Sequence, residues 1–339
     1  MRVPLLLRTA LDWHRPLMTA AALSGLVFAV ALAGIAADDR VLVGEPVWSK
    51  PARFALSIAV YTVTLAWLLS RTRRFGHRLG TVIAVLVTAE LAAIVVQTVR
   101  GVRSHFNVAT AVDAVVFNAM GVVIMAVWAL NLALAAVLLR RPVGDRATTR
   151  AVRWGMAVTL AGMPVALLMS PATPEQAAAL AEGGSDVIGA HTVGAPDGGP
   201  GLPLVGWSTV AGDLRVPHFV GVHGLQAMIL VALTVGAVAR YRSEAARVRL
   251  VGVAGAAYAG MFGLTAWQAL RGQSVVAPDA WTLTVAGALL VCAVAGSWWA
   301  LARRGRRPPG SEPGAAGGRG RPRASVTRCR RRGRAGPHR

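Results

Sequence analysis

Cysteine is almost missing: the 339 residues hold two, Cys292 inside an apolar run and Cys329 in a basic tail. Two thiols set apart in this way provide no disulfide framework, and without a CxxC or CxxCH motif there is no zinc knuckle and no covalently attached haem. Charge is scarce as well, at 15% Asp, Glu, Lys and Arg, against about a quarter in soluble domains. Lysine is reduced to Lys50 beside 35 arginines, a skew that fits the codon bias of a GC-rich genome better than a choice of arginine for bidentate chemistry. No nucleophile elbow, Walker loop, HExxH helix or dinucleotide fingerprint occurs, so soluble-enzyme chemistry has no anchor.

What is abundant is apolar: 55% of the chain, with positive mean hydropathy. Residues 16–37 and 108–139 run for twenty or more positions almost without charge, the length needed to cross a hydrocarbon core. Spans are expected at about 17–37, 53–70, 80–99, 108–139, 154–170, 217–239, 250–271 and 280–302. Each must be helical, because a lone strand leaves backbone groups unpaired in lipid and the alternation of barrel strands is absent. The expected fold is an all-α integral membrane protein of about eight transmembrane helices. The fourth is overlong and should tilt or project. The first resembles a signal peptide at its Ala-rich end, but its length favours a retained helix.

The net charge of +21 does not indicate a specific nucleic-acid partner, because the basic residues cluster at span ends and in the tail. Segments 1–16, 71–79, 140–153 and 240–249 carry 16 Lys and Arg, and the tail from 303 adds 13, whereas the opposite side has 7. By the positive-inside rule both termini are expected in the cytoplasm of a bacterial-type plasma membrane. The domain plan is therefore a cytoplasmic N-terminus at 1–16, a transmembrane domain at 17–302 and a disordered basic tail at 303–339. The Pro- and Gly-rich external loop at 171–216 reads as flexible. The bilayer is one partner, and anionic lipid would attract the tail.

Two short matches suggest duplication. Lys50-Pro51-Ala52-Arg53-Phe54 leads helix two and Arg215-Val216-Pro217-His218-Phe219 leads helix six. Gln97-Thr98-Val99-Arg100-Gly101 ends helix three and Gln268-Ala269-Leu270-Arg271-Gly272 ends helix seven. Four helices per half preserve orientation, so the expectation is two parallel four-helix repeats.

The polar residues gather at one side. Lys50, Arg53, Arg100, Arg103, Arg215, Gln226, Gln268 and Arg271 are candidates for an outward-facing, positively charged mouth that favours an anionic or small-molecule substrate. Glu90 falls near the middle of helix three, where a carboxylate is costly and should face protein. Gln97 lies seven residues on, in nearly the same direction, and Asp113 with Asn131 shares a face of helix four, so a polar route between these helices is expected. Glu90 and Asp113 are the candidate ion or proton sites of a transporter or ligand-binding component. The alternative is a redox protein with b-type haem or copper on His105, His218 and His223, with Met228 or Met261 as a sulfur ligand. His218 and His223 point about 140 degrees apart on a helix and do not share a metal easily. A third reading makes the polar residues structural.

Overall fold

The computed structural model describes residues 12–71 and 74–303. The tail expected to be disordered lies outside the described residues except for Arg303, and so does most of the N-terminal segment. Ten α-helices are described: α1 (Arg15–Ala37), α2 (Ser49–Leu69), α3 (Arg74–Val99), α4 (Ala111–Leu139), α5 (Arg146–Gly162), α6 (Pro174–Ala181), α7 (Arg215–Val222), α8 (Gly224–Val238), α9 (Glu244–Leu270) and α10 (Ala280–Ala302). α5 runs on as a 3-10 turn, Met163–Met169. Among the described residues seven helical segments are long and apolar enough to cross a membrane, α5 and its 3-10 turn counting as one. α7 and α8 pass the same test together but are bent by 51°.

Local chemistry explains where the helices begin. Thr110, Asp145, Ser243 and Asp279 each accept a backbone N–H three residues on, satisfying donors that the first turn leaves free. Two caps correct the expected boundaries: α5 begins at Arg146 and α9 at Glu244, so residues assigned to basic loops are helical.

The expected sixth span is broken at His223. Thr159 Oγ1 accepts from Leu225 N at 3.0 Å, replacing a bond that the break removes. Close approach is possible there because both sides are glycine. A Cβ on Gly162 would lie 2.3 Å from Gly221 Cα, and one on Gly155 would lie 2.7 Å from Leu225 Cα. Small residues of this kind let helices in lipid gain van der Waals contact between their backbones.

Helix pairing follows the same scheme in each half. α1 packs on α2 and α3, α2 on α3, and α3 on α4; α5 packs on the α7–α8 pair and α9, that pair on α9, and α9 on α10. The halves touch through α4 with α5 and α2 with α8. Leu17, Leu65, Leu69, Ile83 and Leu134 fill the larger core, while Val122, Leu230, Leu290 and Val294 point outward. Apolar side chains so widely exposed suit a hydrocarbon solvent.

The 171–216 segment is not the loose chain its composition suggests. The Gln176 side chain donates to Gly189 O and accepts from Gly189 N, and β3 (Thr192–Val193) pairs with β4 (Gly212–Asp213). Polar side chains spend their bonds on backbone, which composition does not reveal.

Candidate functional site

Two adjoining cavities open on the side of the bundle that carries the 100–110 and 171–214 connections. An outer vestibule of about 310 Å³ lies over an inner chamber of about 290 Å³ between the halves. Lys50, His105, His191 and Arg215 line both, so the two form one path. A second hairpin, β1 (Val41–Leu42) with β2 (Glu45–Pro46), forms part of the vestibule rim.

The charges on this path are unequally compensated. Arg215 donates to Asp213 at 2.6 Å and to the Gly206 carbonyl, and Arg53 pairs with Glu45. Lys50 has no hydrogen bond or ion pair among the described residues and stands 5.9 Å from the centroid of Phe54. The Arg103 guanidinium, on the vestibule wall, also has no such partner among the described residues. Glu90, 4% exposed, lines the inner chamber. Its Oε1 is 3.8 Å from His105 Nε2 and its Oε2 has no hydrogen-bond partner.

Four histidines share the chamber wall, each with a ring nitrogen engaged. His105 contacts Ser104, His191 contacts Asp197 at 2.7 Å, His218 contacts the Gly162 carbonyl at 3.0 Å and His223 contacts Ser57 at 3.2 Å. Burial, reinforced by the Lys50 charge, pushes the His105 ring well below its usual range, so its contact with Glu90 is not an ion pair at neutral pH. Burial also lowers His191, against the pull of Asp197. Asp197 is itself held well below the usual carboxylate range by His191 and by backbone N–H donors, which outweigh its burial.

The sign of the His191 shift gives a prediction. A histidine lowered in the fold but ordinary when unfolded, near 6.5, binds its proton more readily in the unfolded chain, so stability is lost as pH falls below about 6.5. His105 acts in the same sense, and Asp197 adds its share only below about pH 4. Thermal unfolding of the purified protein at pH 7.5 and 5.5 should therefore show an acid loss, shallower in His191→Gln by up to one proton, at most about 1.4 kcal/mol per pH unit. An unchanged slope in that variant would count against the assignment.

Other expected site residues lie elsewhere. Gln97, Arg100 and Asp113 close on one another: Asp113 accepts from Gln97 at 2.9 Å, Arg100 at 2.6 Å and Thr110 at 2.7 Å. Asn131 bonds Tyr61 of α2, so α3 and α4 enclose no polar route from Asp113 to Asn131. Gln268 donates to the Ser274 carbonyl, and Arg271 pairs with Asp279 at the surface. The Gln226 amide has buried atoms without partners and lines neither cavity. Met228 is fully buried in a separate cluster and Met261 faces outward, so neither offers sulfur to the histidines. Among the described residues no three His, Cys, Asp or Glu side chains gather as metal ligands. Sequence reading passed over His191 and Asp197, whose pairing within a Gly-rich loop has no short-range signature.

The fold and its outward apolar faces define a helical multi-pass membrane protein with a largely apolar chamber, bearing a few charged and polar side chains, between its halves. No family model matches the chain, and no match is found among curated proteins or solved structures.

Proposed function

We propose that this chain is a transporter or ligand-binding component of a bacterial-type plasma membrane, with the vestibule and chamber as its anion-accepting site. The observation that carries the reading is Lys50, an amine with no hydrogen bond or ion pair among the described residues where the two cavities meet. A cation without a counterion in a low-dielectric recess attracts an anion strongly.

The reading counts the bent α7–α8 pair as one span, giving eight, and takes the basic loops as cytoplasmic, so the vestibule faces outward. It treats the halves as parallel repeats, supported by equivalent helix ends. Gly101 and Gly272 have φ of +72° and +71° after matching Gln-x-x-Arg segments. Gln97 and Gln268 each donate to the carbonyl six residues on.

Access and charge preference can be read together in intact cells. With Cys292→Ala and Cys329→Ala as background, Ser57→Cys places a thiol on the inner chamber wall. A negatively charged, membrane-impermeant methanethiosulfonate should label it about tenfold faster than its trimethylammonium analogue, and Lys50→Ala should reduce that ratio. Labelling only in inverted vesicles would reverse the orientation, and faster reaction of the cation would overturn the anion site.

A further inference from the structure

The inner chamber has two unlike walls. At its top stand Lys50, without a counterion, and Glu90, with one carboxylate oxygen unbonded. Below them the lining is apolar, with Phe117, Met120, Ile124, Trp128, Met163 and Leu167. A lysine without an ion pair and a glutamate with one unbonded oxygen on the same chamber wall are both costly among the described residues. A ligand carrying an anionic group and a hydrogen-bond donor would satisfy both.

The apolar wall is also incomplete. Gly121, Ile124 and Met125 of α4 and Leu167 of the 3-10 turn line the chamber and are exposed, unlike the buried residues of the core. A Cβ at Gly121 would meet nothing within 4 Å. α4 and the 3-10 turn belong to apolar helices long enough to span a bilayer, so the chamber's exposed apolar edge between them is where acyl chains would reach it from the side.

We infer that the chamber takes an amphiphile from the surrounding leaflet, with a zwitterionic headgroup between Lys50 and Glu90 and an acyl tail leaving between α4 and residues 163–169. The inference rests on the proposed ligand site and names its substrate class. A phosphate meets Lys50 and an ammonium meets Glu90, the chemistry of a zwitterionic phospholipid. The apolar floor takes the first methylenes of the tail into surroundings as apolar as the leaflet they leave.

The test measures binding of phosphatidylethanolamine, phosphatidylglycerol and water-soluble phosphoethanolamine to the full-length protein, delipidated in detergent, by native mass spectrometry and equilibrium titration. One phosphatidylethanolamine should bind at least tenfold more tightly than the soluble headgroup. Lys50→Ala and Glu90→Gln should each weaken it about tenfold. Gly121→Trp, which adds bulk at that exposed edge, should weaken the lipid about tenfold and leave phosphoethanolamine within twofold.

Equal affinity for lipid and soluble headgroup, with no effect of Gly121→Trp, would overturn lipid entry while leaving a soluble-ligand site standing. Phosphatidylglycerol binding as tightly as phosphatidylethanolamine would show that Glu90 does not require an ammonium donor and would refute the zwitterion. Binding of none of the three, with Ser57→Cys still labelled from outside, would sink this inference alone; failure of both measurements would sink the ligand site with it.

Discussion

Gly162→Val should leave almost no folded protein. The new Cβ would fall 2.3 Å from Gly221 Cα, 2.6 Å from Gly221 C and 2.9 Å from Val222 N, all backbone atoms that no rotamer change can move aside. α5 would have to withdraw from the α7–α8 break, and the bonds from Thr159 to Leu225 and from His218 to the Gly162 carbonyl would go with it. Overpacking of this kind costs about 3 kcal/mol or more, a large part of a typical folding free energy. The measurement is the yield of monodisperse protein in detergent and its melting temperature. Gly263→Ala is the control: its Cβ would meet nothing within 4 Å, and alanine in mid-helix is favoured over glycine by up to about 1 kcal/mol. A well-folded Gly162→Val protein would show that the two backbones are not in contact.

Asp113→Ala should destabilise by about 2–4 kcal/mol. The carboxylate is 2% exposed and receives Gln97, Arg100 and Thr110, so its loss removes three bonds at once and loosens the joint between α3 and α4. The figure sits below that for a fully buried pair because Arg100 is 40% exposed. The corresponding pair in the second half, Arg271 with Asp279, is exposed on both sides at 37% and 35%. Asp279→Ala should thus cost clearly less than Asp113→Ala, since it loses only an exposed pair and the cap it gives Thr282 N. Chemical unfolding of the two variants side by side reads the contrast. Equal losses would mean that burial does not separate the two helix ends.

Much of the fold was legible in one dimension, because the cost of an unsatisfied backbone in lipid leaves the helix as the only use for a twenty-residue apolar run. Residues 280–302 match α10 at both ends, and the Gly101 and Gly272 turns follow from glycine's tolerance of positive φ after a helix. The break at His223 was not legible, since residues 217–239 are uniformly apolar enough for a continuous helix. What splits them is contact with Gly155, Thr159 and Gly162, more than sixty residues away.

The candidate site divides in the same way. Position along the chain placed Lys50, His105, Arg215 and His218 at helix ends or connections on one side, and the structure brings them to one path. Glu90 was marked by the cost of a carboxylate inside an apolar helix, and it does face protein. Periodicity could not say which neighbour each polar residue would meet. Gln97 shares a helical direction with Glu90, yet it turns to Asp113, while Glu90 turns to the chamber.

The chain by itself determined that it folds into apolar helices and roughly where they lie, because those depend on runs of side chains and on backbone hydrogen bonds closed within each helix. Only the tertiary structure decided that α2, α3 and α7 converge around a hollow and that Arg215 is neutralised by Asp213 while Lys50 is not. The tertiary structure likewise decided that α4 and the 3-10 turn line the same chamber. Those features arise from which helix faces which across the bundle, a choice made by glycine contacts and buried polar pairs distant in sequence, to which the spacing of residues along one helix is blind.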